Sequence, residues 1–274
     1  MEFFASYTGS DFLLFYAVML LTCVGLGVWI PANLRPQGRR GEVQDTDEVA
    51  VLVGGSERYT TSILADLFAR GGLTEGAKSR LTVRDSAIEA QPGANAVLRM
   101  DDEFRVKDVR DILNGHAEII EDRLIAAGLL MDPSERTKLR WISALPYVAL
   151  FAIGLYRYQA GNALGEPTGF LMGLLIITAV LGVFRLAKLN PRTMAGEAAV
   201  RRLQEKSTRL RSAPQANEAG YAVAIFGTGV LVGTPWEPVH AARQATGGGD
   251  GSGGGCGSDG GGGGCGGGCG GCGG

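Results

Sequence analysis

Three stretches of the chain are apolar on every side. Residues 12–30 (FLLFYAVMLLTCVGLGVWI), 141–156 (WISALPYVALFAIGLY) and 168–184 (TGFLMGLLIITAVLGVF) carry no charged side chain. A helix buried in a soluble domain keeps a polar face, whereas these runs have none. At 1.5 Å per residue they approach the ~30 Å of a hydrocarbon core, the shorter ones with help from their flanks. The pattern therefore predicts transmembrane helices at 12–30, 141–160 and 168–186. A fourth apolar run, 219–236 (AGYAVAIFGTGVLVGTPW), is interrupted by four glycines and a Thr-Pro pair. It is marginal for insertion and reads better as a cytoplasmic or interfacial segment packed on a soluble domain.

Elsewhere the pattern is mixed. Residues 31–45 contain PQGRRGEVQD, a Pro/Gly linker. Residues 46–140 are long enough for one small core. Ile63, Leu64, Leu67 and Phe68 recur at helical spacing, with Ser56 or Thr60 as N-cap and Gly71 or Gly72 closing the helix. Leu81 and Val83 alternate as in a short strand, QPGAN reads as a turn, and AVLRM (96–100) as a second strand. FRVKDVRDILNG and HAEIIEDRLIAAGLLMD read as two more amphipathic helices. One internal echo stands out: LFARGGL (67–73) and LIAAGLL (124–130) share L-x-A-x-G-x-L, each at a helix end. Helices that end at glycine before a strand suggest a small α+β domain of winged-helix-like type. The fold class is thus a mainly α membrane protein: three transmembrane helices, this α+β domain, and a disordered C-terminal tail.

Charge sets the orientation. Residues 1–11 hold no Lys or Arg, while Arg35, Arg39 and Arg40 follow the first span. Arg136, Lys138 and Arg140 precede the second, and Arg185, Lys188 and Arg192 follow the third. The 161–167 loop has Glu166 and no base. The positive-inside rule puts the N-terminus outside and residues 31–140 in the cytoplasm. Glu2 and Asp11 precede the first span in place of a basic n-region, so it reads as a retained anchor and not a signal peptide. Arg157 lies near the outer end of span two, where it is expected to snorkel to the headgroups. Residues 187–213 are rich in bases and carry Ala199, Leu203 and Leu210 near helical spacing. They read as a basic amphipathic helix, either on the inner membrane surface or solvated beside it.

The remaining chemistry is sparse. The 16 Lys/Arg of residues 31–140 face 19 Asp/Glu, so no basic stripe marks a nucleic-acid partner. His116 and His240 are far apart, and GxSxG, HExxH, Walker and dinucleotide patterns are absent. Gly54-Gly55-Ser56 is a weak phosphate signal, and Asp101, Asp102 and Glu103 read as a solvated turn. A conventional enzyme is not indicated. A lone intramembrane charge offers no substrate pathway unless the protein forms a homo-oligomer.

The tail, 247–274, packs 20 glycines and four cysteines into 28 residues. Cys256, Cys265, Cys269 and Cys272 match the ligand number of a tetrahedral zinc site, and Cys269-x-x-Cys272 is a usual ligand pair. Such a glycine run buries nothing to offset the entropy of ordering it. Capture of Zn or Cu(I), thiol redox chemistry, enzymatic modification and an extension of no specific role all stand as readings. The sequence of parts, down to RRLQEKSTRLR, AIFGTGVL and the Gly/Cys tail, resembles a bacterial, chiefly actinobacterial, family of uncharacterised membrane proteins. The resemblance implies a plasma-membrane protein with the lipid bilayer and an unknown protein as partners. It carries over no catalytic residue.

Overall fold

A computed structural model describes residues 9–39, 41–43, 45–76, 80–100, 103–163, 169–187 and 189–245. The chain is mainly helical, and three helices are long and apolar enough to cross a membrane: α1 (Gly9–Leu34), α5 (Pro133–Ala163) and α6 (Gly169–Ala187). Between α1 and α5 lie α2 (Thr46–Ala69), strands β1 (Leu73–Glu75) and β2 (Leu81–Val83), α3 (Pro92–Leu98) and α4 (Val106–Ala126). After α6 come α7 (Met194–Lys206), α8 (Thr208–Ser212), α9 (Ala219–Phe226) and α10 (Glu237–Ala245).

The apolar helices meet through narrow seams. On α1 the buried positions Phe12, Tyr16, Leu20 and Cys23 fall every three or four residues, so they share one face. That face meets Tyr147 and Leu150 of α5 and Leu171 and Leu175 of α6. Most large side chains outside the seam are exposed, among them Leu14, Leu21, Leu145, Ile176 and Val180. Gly154 permits the closest approach: a Cβ there would stand 2.6 Å from Tyr16 Cε2 and 2.9 Å from Leu175 Cδ2. The Thr178 hydroxyl donates to the Leu174 carbonyl at 2.8 Å, which leaves its oxygen to accept from Tyr16 at 3.0 Å. A buried tyrosine hydroxyl is thereby satisfied.

The second core is soluble in character and discontinuous in sequence. Val49, Leu52, Leu64 and Leu67 of α2 pack with Val109, Leu113 and Ile120 of α4. The same cluster includes Val200 of α7, Val223 and Ile225 of α9, and Val239 of α10. The sequence reading closed this domain at residue 140, but its core also draws on chain beyond the third apolar helix. Residues 219–236 form α9, a 3-10 turn (Thr228–Leu231) and the approach to α10, with Ala222, Val223, Ala224 and Ile225 almost fully buried. Small residues let α9 lie close to α2, where Ser62 Oγ donates to the Gly220 carbonyl at 2.8 Å.

The two L-x-A-x-G-x-L copies end their helices in the same way. Gly71 (φ +81°) and Gly128 (φ +74°) take left-handed conformations. The next amides, Gly72 and Leu129, reach back to the carbonyls of Leu67 and Leu124 at 2.8 and 2.9 Å. Glycine has no Cβ to oppose this geometry, so the motif and the cap are one signal.

Three local expectations are corrected. AVLRM is not a strand: residues 92–98 form α3, with Pro92 fixing the first turn and Ala94, Val97 and Leu98 buried. The strand pairing is instead β1 with β2, antiparallel, extended by a bridge from Leu81 to Phe104. The N-cap of α2 is neither Ser56 nor Thr60, although the break at Gly54-Gly55 sets off the half of the helix that begins at Ser56. The helix starts a further turn and more upstream, where Asp45 accepts from the Asp47 amide at 3.4 Å. Ser56 Oγ instead donates to Asn114 Oδ1, and Thr60 donates back to the Ser56 carbonyl. The missed turns, TDEVAVLV, are apolar on several sides and stop at Gly54-Gly55, where Gly55 has φ +66°. Finally, the 187–213 segment is two helices, α7 and α8, preceded by extended chain. The α7 residues Ala199 and Val200 are buried in the domain core, so that face does not lie on a membrane.

Candidate functional site

The four tail cysteines, Cys256, Cys265, Cys269 and Cys272, lie outside the described residues. Among the described residues no group of three or more His, Cys, Asp or Glu side chains could hold a metal ion. Cys23 is buried in the α1 seam, its thiol directed at the Pro146 carbonyl at 3.5 Å.

The glycine pair that raised the phosphate question is a break inside α2, and arginines gather behind it. Glu57 takes Arg243 at 3.0 Å and Arg110 at 3.4 Å. Thr228 Oγ1 accepts from Arg243 at 3.2 Å and meets His240 Nδ1 at 2.9 Å, while His240 Nε2 meets Gln244. Arg58, also buried, donates to the Val223 carbonyl near the C-terminus of α9 at 3.3 Å. A cation at that helix end offsets the negative pole of the dipole. Arg192 does the same for the first half of α2, donating from Nε to the Leu52 carbonyl at 2.8 Å and from Nη2 to the Val53 carbonyl. These charges clamp the helix ends.

Two single residues that the sequence singled out are placed here. His116 sits half-buried on α4. Arg157 does not turn outward to headgroups: it is buried to 7% exposure, its guanidinium 5.7 Å from the centre of the Phe12 ring. A cation over an aromatic face, enclosed by helices, is held more strongly than one left at the lipid surface.

A cleft of about 200 Å³ opens where α2, α3 and the start of α9 meet. Asp47, Asp66, Ser62, Arg70, Gln91 and Tyr221 line it. Asp47 comes from the half of α2 before the glycine break and Asp66 from the half after it, and both line the cleft. Arg70 holds Asp66 at 3.1 Å and the Glu89 carbonyl at 2.6 Å. No ion pair holds Asp47 among the described residues. Burial, then the charges of Asp45 and Asp66, raise its pKa to about 6. The Gln91 amide, nitrogen inward, donates to this carboxylate. Burial, then the charges of Asp47 and Asp45, push the Tyr59 phenol above its ordinary range. The cleft can therefore hold a proton near neutrality and presents acceptors, a setting suited to a ligand or peptide rich in donors. Sequence reasoning missed it, since no spacing rule links Asp47 to Asp66 and Gln91.

No family model, curated protein or solved structure matches this chain.

Proposed function

We propose that this is a non-enzymatic, multi-pass protein of a bacterial plasma membrane, with its N-terminus outside and its soluble domain in the cytoplasm. The domain acts as an interaction module that captures a protein partner at the cleft of α2, α3 and α9. One observation carries the reading: the domain core is assembled from chain on both sides of the α5–α6 pair. The α5–α6 pair is therefore inserted between segments that build one domain, as a membrane-held receptor site requires. The positive flanks support the orientation, and the absence of a catalytic motif in the sequence supports binding over catalysis. The bacterial setting comes from the family resemblance alone. The cysteine tail is assigned to soft-metal capture or covalent modification on the number of its thiols.

A membrane-anchored regulator is the second reading. The β1–β2 hairpin beside α2 and α4 favours it, in keeping with a winged-helix-like module.

Impermeant thiol labelling of intact cells tests the topology. A cysteine at Asn162 should label and one at Gly115 should not; the reverse pattern refutes the orientation. Zn(II) and Cu(I) content of the full chain and of a truncation at Gly247 tests the tail, and equal content refutes its metal role. For the cleft, crosslinking from a photoreactive residue at Tyr221 should trap one protein that Asp66→Ala releases. Trapping unchanged by that substitution would refute the cleft as the binding site.

A further inference from the structure

The three apolar helices end, on the side of the soluble domain, in a collar of arginines. Ile30 of α1, Leu139 of α5 and Leu189 beyond α6 belong to one apolar cluster, which brings the three ends together. Arg136 and Arg140 flank Leu139, while Arg35 and Arg185 lie within about a turn or so of the other two members. In each of these four residues Nε is out of solvent and meets no acceptor among the described residues. Arg35 and Arg185 are close enough to repel. The charge set against them is small: Glu197 pairs with Arg35, and the nearby Asp132 and Glu135 are exposed at the start of α5.

The positive-inside rule explains arginines at this level but not the shielding of their Nε atoms. An arginine that serves orientation alone extends its guanidinium into water. Here the four side chains are part-exposed, yet each keeps its Nε out of solvent and without an acceptor among the described residues. A buried donor without an acceptor is destabilising, so the arrangement calls for a polyvalent anion acceptor. Guanidinium binds phosphate side-on through Nε and Nη, using the donors that are idle. The level of the collar identifies the source of the phosphate. Trp29 and Trp141, 59% and 63% exposed, lie on the apolar side of the collar, Trp141 directly after Arg140 and Trp29 within two turns of Arg35. Exposed tryptophans at the end of apolar helices mark the headgroup boundary of a bilayer.

We propose that the collar of Arg35, Arg136, Arg140 and Arg185 is a binding site for the phosphate of an anionic phospholipid in the inner leaflet. The inference rests on the three-span reading above. The acyl chains lie along the exposed faces of α1 and α6, and the headgroup completes the junction between bundle and soluble domain. The lipid thereby acts as a structural ligand of that junction, where Met194 and Ala195 amides already bond the carbonyls of Pro36 and Gln37 at 3.0 and 2.9 Å.

Native mass spectrometry tests this on the full chain in mild detergent. Phosphatidylglycerol and phosphatidylcholine of identical acyl chains are the probes, with inorganic phosphate as competitor. Phosphatidylglycerol should be retained about six-hundredfold over phosphatidylcholine, each of the four arginines supplying about fivefold. The triple variant R136Q/R140Q/R185Q should bring the two lipids within a few-fold of one another. The exposed-face control R84Q/R99Q/R211Q should keep the full preference. Equal retention by the unaltered chain overturns the proposal, and that comparison needs no variant to fold. Full preference in the triple variant overturns the assignment to the collar. Displacement of the lipid by equimolar inorganic phosphate overturns the lipid source. Cysteine labelling at Asn162 and Gly115 separates the outcomes. An intact pattern with equal lipid retention sinks the headgroup site and leaves the three-span reading standing.

Discussion

Replacing Arg192 by Met keeps most of the side-chain stem and removes both donors. Arg192 reaches from the strand-like approach to α7 into the break of α2, where its guanidinium serves the carbonyls of Leu52 and Val53. It does so at a site buried enough that desolvation lowers its own pKa, with Glu197 as the favourable charge and Arg58 and Arg35 against it. A hydrogen bond from a charged donor contributes about 1.5–3 kcal/mol, and desolvation of the guanidinium offsets part of two such bonds. The expected net loss is about 2–4 kcal/mol, because Leu52 is left buried with its carbonyl unserved. For a chain of this size that lowers the melting midpoint in detergent by about 5–10 °C. The loss is local before it is global. Amide exchange over 46–53 should accelerate about 30- to 1000-fold, while α4 changes less. Arg192→Lys, with one compact donor head, should fall between. A midpoint within about 2 °C of the parent, with exchange over 46–53 unaltered, would refute the clamp.

Asp47 gives a pH test with a defined sign. Its folded pKa of about 6 lies above the ordinary carboxylate value, so the folded state holds the proton more tightly. Stability is then full below about pH 4 and declines as pH rises through about 6, by roughly 1–2 kcal/mol after screening at a part-exposed site. Asp47→Asn should flatten that slope in pH-dependent melting; an unchanged slope would reject the assignment. Gly154→Val should separate α1 from α5 and α6, since even a Cβ meets Tyr16 at 2.6 Å. A loss of about 2–3 kcal/mol is expected, read as a lower detergent-denaturation midpoint. Gly71→Ala and Gly128→Ala should both cost about 1 kcal/mol through their left-handed backbone. Gly128 should cost more, because its added methyl would lie 2.9 Å from the Arg39 nitrogen while Gly71 faces open space. Equal melting shifts would contradict that ranking.

The apolar helices were legible because their signal is local and redundant: an uncharged run of span length has few alternatives in water. The glycine caps at 71 and 128 were legible for a related reason, since a left-handed residue strongly selects glycine. Local pattern failed at AVLRM, where β-type residues yielded to Pro92 and to burial of Ala94, Val97 and Leu98 on one face. It failed again at α7, whose apolar positions suggested a membrane surface. Amphipathicity says that a face is covered, not what covers it.

What the sequence by itself determined is the set of elements whose stability is nearly self-contained: the three apolar helices, the glycine-ended helices and the bias of charge to one side. What only the tertiary structure decided is every relation between distant segments. It placed α9 against α2, set Arg192 on the carbonyls of Leu52 and Val53, brought Asp47 and Asp66 into one cleft, and gathered four arginines from three helix ends. Helical periodicity is a property of neighbours within a few turns. A buried charge or a shared cavity depends on which surfaces meet, and that choice is made by packing the whole chain.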